Sequence, residues 1–194
     1  MLELIVIIAG IIIDQLTKIW AAGTLAHELG GSIPVIKGVF NLTYLENRGA
    51  AFGMLQGFRT FFIILTFITI GILAYTLVAK RKRLSVWLRL ALALILSGAA
   101  GNLIDRIALS YVRDMFDFCL INFAVFNFAD ACISVGAVLL VVCILFIDGR
   151  EEEKKNSDGS GLSDEIKNEA MDAGVSEGGD YGEPDGTDDG SDGE

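Results

Sequence analysis

Two carboxylates dominate the chemistry this sequence offers. Asp130 stands near the start of an apolar run, residues 126–147, and Asp114 follows shortly after the end of another, residues 84–107. The segment between them is short, so both side chains can meet at one depth. Two carboxylates a few ångströms apart in a partly desolvated site do not both ionise cheaply, and one keeps a proton. The ionised member then takes a proton from water while the neutral one hydrogen-bonds a substrate carbonyl oxygen, as in an aspartyl hydrolase. Asp117 is a rival partner that spacing does not separate from Asp114. Singly, Asp114 also suits a headgroup position and Asp130 a helix N-terminus, where the macrodipole favours an acid.

Other polar residues gather around the same run ends. In Gly98-Ala99-Ala100-Gly101-Asn102-Leu103-Ile104-Asp105-Arg106 the glycines permit close helix approach. Asn102 and Arg106, four apart, share a face, and Asp105 and Arg106 sit where rim pairing or snorkelling is available. Asp14 and Lys18 are also four apart. An internal ion pair that admits both to the membrane is favoured over a direct catalytic role. Asn47-Arg48-Gly49-Ala50-Ala51-Phe52-Gly53 reads as a turn followed by a small-residue surface open to a substrate backbone. His27 reads as interfacial. With one histidine, and with Cys119, Cys132 and Cys143 in or beside apolar runs, neither a metal site nor a disulfide scaffold is expected.

These residues are carried by four apolar runs: residues 4–22, 61–79, 84–107 and 126–147. Crossing about 30 Å of hydrocarbon takes roughly 20 helical residues, and backbone in lipid must satisfy itself, so all four are expected to be helices. The first lacks a positive leader region and has Glu3 instead, so it is read as a retained span. Lys80-Arg81-Lys82-Arg83 sets the second turn in the cytoplasm. Both termini are then cytoplasmic, and residues 23–60 and 108–125 face outward. Residues 35–45 alternate in β-branched and aromatic character, with turn chemistry at Gly38, Asn47 and Gly49, which suits a small sheet at the membrane surface. Residues 110–125 are expected only to stay near the interface.

Charge divides the chain. Residues 1–150 carry 9 acids and 12 bases, whereas residues 151–194 carry 16 acids and 3 bases. A slightly basic membrane body is thus followed by an acidic, Gly-rich tail that is expected to be disordered and cytoplasmic. A hydrophobic fraction of 53% excludes a soluble two-domain enzyme, and the charge excludes a basic nucleic-acid binder. A small transporter using Asp14, Lys18, Asp105 and Asp130 as a proton relay is the alternative. A relay needs polar groups through the whole membrane depth, and here they crowd the outward half.

Five blocks in order resemble the lipoprotein signal peptidase (signal peptidase II) family of bacteria. They are Asp14-Gln15-Leu16-Thr17-Lys18, Asn47-Arg48-Gly49-Ala50-Ala51-Phe52, Gly101-Asn102-Leu103-Ile104-Asp105-Arg106, Val112-Arg113-Asp114 and Phe126-Asn127-Phe128-Ala129-Asp130. The resemblance implies a metal-free, cofactor-free aspartyl endopeptidase of the bacterial plasma membrane. Its substrate is a prolipoprotein, cut just before a cysteine carrying a diacylglyceryl group. Asp114 and Asp130 correspond to the catalytic pair. Asp14, Lys18, Asn47, Gly49, Asn102, Asp105, Arg106, Asn127 and Ala129 would support them or touch substrate. The implied fold is four transmembrane helices with an outward β-cradle and a short surface helix, working as a monomer among membrane lipids near the outer face. Two positions depart from the pattern. Ser97-Gly98 stands where a double glycine is frequent, and a hydroxyl there can bond the preceding turn. Arg113 stands where an apolar residue is common, and a cation beside Asp114 would make Asp114 the ionised member.

Overall fold

The structure, a computed structural model, describes residues 1–28, 31–49 and 57–148. Four helices carry it: α1 (Leu2–Thr24), α2 (Arg59–Ala79), α3 (Val86–Ala108) and α4 (Phe128–Val142), the last continued by a wider π turn, Cys143–Asp148. All four are long and apolar enough to cross a membrane, as the four runs predict. Glu3, the acid at the start of α1, meets Arg89 at 2.9 Å and Arg81 at 3.4 Å. The starts of α1 and α3 are thereby tied beside the basic turn.

Helix α3 packs against each of the other three because its residues are small. Ala91, Ala93, Ser97, Gly98, Ala99 and Gly101 are all buried, and without a hydrophobic drive between helices in lipid, close backbone contact supplies the adhesion. Helix α2 fully buries only Leu77, which with Ile70, Leu73 and Ala74 packs on Leu92 and Leu96 of α3, and most of its other apolar residues are exposed. A Cβ at Gly98 would collide with the Ala129 carbonyl oxygen of α4, and one at Gly101 with the Asp14 carboxylate of α1. Ser97 donates to the Leu94 carbonyl at 2.9 Å, the back-bond its hydroxyl predicts. It is accommodated because α1 offers Gly10 opposite, where a Cβ would lie 2.6 Å from Ser97 Oγ. Gly98→Ala is therefore expected to push α4 off α3 and destabilise the protein by about 1–3 kcal/mol. Thermal unfolding in detergent would measure this, and an unchanged midpoint would show that the contact is not tight.

At the end of the bundle away from the basic turn lies an antiparallel sheet in the order β1 (Ser32–Ile36), β2 (Phe40–Asn47), β3 (Val112–Asp117). The alternating segment is thus a hairpin, turning at Lys37-Gly38-Val39 with Gly38 at φ +74°. Part of the segment expected merely to stay near the interface is instead the third strand. Two features hide β3 in the sequence. Its faces are both covered, so that Asp114 and Met115 are buried in succession. The pairing with β2 also shifts register between Leu42 and Leu45, which breaks the period of two. Met115 packs on Ala21 and Leu25 of the α1 end, with Ile33, Leu42, Tyr44 and Phe116 around them, and this seats the sheet on the bundle. Phe126 then pairs with Phe116 through backbone bonds of 2.8 and 3.1 Å, pinning the entry to α4 against β3.

Among the described residues the surface segments hold 3₁₀ turns, Leu25–His27 and Cys119–Ile121. The short surface helix implied by the resemblance is not among them. Residues 50–53 of the small-residue segment and the acidic tail, residues 151–194, lie outside the described residues.

Candidate active site

Asp114 projects from β3 and is 1% exposed. Each of its carboxylate oxygens accepts an amide hydrogen, Oδ2 from Asn47 Nδ2 at 3.0 Å and Oδ1 from Asn127 Nδ2 at 2.7 Å. Asp130 lies in the first turn of α4, where Asn127 is the N-cap. The two form a capping box, with Asp130 N–H donating to Asn127 Oδ1 at 3.0 Å and Asn127 N–H to Asp130 Oδ2 at 3.2 Å. The second Asp130 oxygen accepts from Asn102 Nδ2 at 2.8 Å. Asn127 Nδ2 also donates to Asn102 Oδ1 at 3.1 Å. Two amides from α3 and the start of α4 therefore link the two carboxylates into one network. Asp130 is a helix N-terminal acid and a member of this pair at once.

Both acids face a cavity of about 550 Å³. Its polar end is Asn47, Gly49, Asn102 and Arg106, and its apolar side includes Phe123, Phe126 and Ile133. Burial, reinforced by the charge of Asp130, pushes the Asp114 carboxyl up to about 7, against the opposing pull of the Asn47 and Asn127 hydrogen bonds. The expectation that Arg113 makes Asp114 the ionised member is overturned. Successive strand residues face opposite sides, and the Arg113 guanidinium goes to Asp105 at 2.7 Å. At about 7, the Asp114 carboxyl is partly protonated near neutrality.

Asp117 meets Asn41 Nδ2 at 3.3 Å and Thr43 Oγ1 at 3.2 Å within the sheet and does not line this cavity. Asp14 and Lys18 form the expected ion pair, at 2.9 Å and shut from solvent. Lys18 reaches forward to Asn102 Oδ1 at 2.9 Å. Asp14 Oδ1 accepts the Ala129 backbone N–H at 3.0 Å, so Ala129 contributes through its backbone. Asp105 is likewise fully buried, behind the cavity. Gly49 lines the cavity, and its N–H donates to Asn47 Oδ1 at 2.9 Å, which fixes the Asn47 amide. Arg106 lines it too, its guanidinium 5.4 Å from the Phe62 ring.

Sequence reasoning passes over two residues here. Gln15 donates to Asp14 at 3.0 Å and accepts from Arg113 at 3.1 Å; a glutamine inside an apolar run was the available signal. Arg59, at the start of α2, donates to the carbonyls of Arg106 and Ile107 at 2.9 and 3.0 Å. It satisfies the open end of α3, and only the fold reveals it.

The sequence model described as "Signal peptidase (SPase) II" matches residues 6–146. A lipoprotein signal peptidase of Streptococcus pyogenes serotype M5 (strain Manfredo) is 46% identical over 143 residues, covering 74% of this chain and 90% of the relative. One of serotype M18 (strain MGAS8232) matches to the same extent. Two solved structures, each a bacterial membrane enzyme obtained by the in meso method, are also similar. One, at 2.3 Å resolution, has a TM-score of 0.67 and 32% identity over 74% of this chain and 87% of its own. The other, at 1.9 Å, has a TM-score of 0.66 and 33% identity over 75% and 93%. An aspartate pair held at one cavity, on β3 and the start of α4, a matching family model across most of the membrane body and relatives aligned over nearly their whole length place this chain in the signal peptidase II family, the membrane proteases of lipoprotein processing.

Proposed function

We propose that this chain is an intramembrane aspartyl endopeptidase that cuts prolipoproteins just before a diacylglyceryl-modified cysteine, at the outer face of a bacterial plasma membrane. The observation that carries this is the linkage of Asp114 and Asp130, from separate elements, through Asn127 and Asn102 at one cavity. Protonated Asp114 hydrogen-bonds the scissile carbonyl oxygen. Asp130 takes a proton from a water as that water attacks the carbonyl carbon, and the Asp114 proton passes to the oxygen. As the tetrahedral intermediate collapses, the C–N bond breaks, the proton on Asp130 goes to the leaving nitrogen, and a hydroxyl of the intermediate returns its proton to Asp114 as the carbonyl re-forms. The diacylglyceryl chains lie along α4. A second, apolar groove of about 460 Å³ there shares Ser134 and Val135 with the catalytic cavity and continues past Val138 and Leu139. Each buried CH₂ contributes about 0.8 kcal/mol of affinity. The basic turn at Lys80-Arg81-Lys82-Arg83, at the far end from the sheet, supports cytoplasmic termini and an outward site. The acidic extension, residues 151–194, is taken as a separate segment with no part in the reaction.

The test is to incubate the purified protein with a diacylglyceryl-modified precursor and its unlipidated twin. Only the first should be cut, and equal cleavage of both would refute the lipid requirement. The rate should also fall on the alkaline side. Asp114 holds its proton below about 7 and loses it above, so cleavage is expected to fall as pH rises through about 7. The groups acting on it are Asp130 from α4, Lys18 from α1 and the amides of Asn47 and Asn127. A rate that climbs steadily from pH 6 to pH 9 would show that the Asp114 proton is not used.

A further inference from the structure

We propose that Arg113 is a positioning residue for the cleavage reaction: by taking up the charge of Asp105 it leaves Lys18 free to hold the Asn102 amide against Asp130. The proposal rests on the aspartyl reading above. Asp14, Lys18, Asp105 and Arg113 form one buried cluster of two anions and two cations, with side chains 1%, 0%, 0% and 11% exposed. Such a cluster is tolerable in a low-dielectric site only when its charges balance and its hydrogen bonds are filled.

The contacts show how the balance is divided. Arg113 grips Asp105 with Nη2 at 2.7 Å from Oδ1, Nε at 3.1 Å from Oδ2 and its own backbone N–H at 3.0 Å from Oδ2. This two-toothed geometry is the strong form of a guanidinium–carboxylate pair. Gln15 adds a donor to Oδ1 at 3.3 Å. Lys18 stands 3.7 Å from Asp105 Oδ2, against 2.9 Å from Asp14 and 2.9 Å from Asn102 Oδ1. Arg106, the other nearby cation, lines the cavity and makes no ion pair with Asp105 among the described residues.

Asn102 can turn its amide either way. With Lys18 and Asn127 both donating to its oxygen, only its nitrogen is left to face Asp130 Oδ1, at 2.8 Å. Without the Arg113 side chain, Asp105 would be a buried anion left with two neutral donors, Gln15 and the backbone N–H of residue 113, and Lys18, 3.7 Å away, is close enough to be drawn over to it. Asn102 would then lose the charged donor that fixes its oxygen, and Asp130 the hydrogen bond that aims it. The Arg113 side chain achieves this from the strand face opposite Asp114, without touching the cavity.

Three variants of the full chain test it with the lipidated precursor. Arg113→Leu is expected to lower kcat by about 100-fold, the scale of a displaced catalytic group, with KM within about twofold of wild type. Arg113→Lys keeps the charge and should stay within about threefold in kcat. Asp105→Asn/Arg113→Leu removes one charge of each sign and should recover about tenfold or more of the loss. A rise in KM with kcat unchanged would overturn the proposal, as would a folded double variant no faster than Arg113→Leu. If Arg113→Leu yields no folded protein, the double variant decides: measurable kcat supports the proposal, and an inactive but folded protein overturns it. A wild-type protein that does not cut the precursor would instead defeat the aspartyl reading itself.

Discussion

Asp114→Asn and Asp130→Asn are each expected to lower cleavage of a lipidated precursor by about 10³–10⁴-fold, the scale on which positioned acid–base groups act. Both variants should still insert and fold. The asparagine is nearly isosteric, and the network is only partly disturbed. Each Asp114 oxygen accepts an amide hydrogen, so an amide nitrogen at that position faces one donor it cannot accept. At position 130 the loss is either the Asn102 contact or the reciprocal half of the capping box. Either is worth about 1 kcal/mol, too little to unfold the protein. The chemistry is lost outright, because an amide neither takes a proton from water nor gives one to a carbonyl oxygen. Asp117→Asn is the control and should remain active, since Asp117 meets Asn41 and Thr43 in the sheet. Turnover by either dyad variant within tenfold of wild type, in protein with an unchanged unfolding temperature, would remove the pair from the mechanism.

That Asp114 and not Asp117 faces the cavity is a question of strand register, and register is where this sequence is least legible. The helices are plain because lipid enforces a single long-range rule. The Asn127–Asp130 capping box also has a local signature. Strand β3 has none, since a strand buried on both faces gives no alternation. Arg113 misleads for a related reason. Adjacency in sequence suggests that it acts on Asp114, yet in a strand the nearest neighbours in sequence point apart. How Gln15 and Ala129 act is hidden in the sequence for different reasons. Gln15 acts through Arg113, which lies 98 positions away. Ala129 acts through a backbone N–H that any residue but proline supplies, and its buried methyl faces α3, where a Cβ at Gly101 would lie 3.4 Å from it.

Lys18→Met should separate stability from catalysis. The side chains of Lys18 and Asp14 are 0% and 1% exposed, and removing one partner of a buried pair leaves an uncompensated charge at a cost of about 3–5 kcal/mol. Asp14→Leu/Lys18→Met removes both charges and should recover part of that loss. It should not recover all of it. Asp14 Oδ1 also accepts the Ala129 N–H at 3.0 Å, and a buried N–H left without a partner costs about 1–3 kcal/mol. The intact Arg113–Asp105 pair keeps the rest of the cluster balanced. The double variant should therefore unfold at a higher temperature than Lys18→Met, and closer to wild type. Its cleavage should nevertheless stay low, because the ammonium that fixes the Asn102 oxygen at 2.9 Å is absent from both variants, and with it the aim of Asn102 on Asp130. Thermal unfolding in detergent beside kcat on the lipidated precursor makes the comparison. Recovery of stability without recovery of rate assigns Lys18 to the alignment of the dyad as well as to the fold. Recovery of both together would mean that Lys18 serves the fold alone.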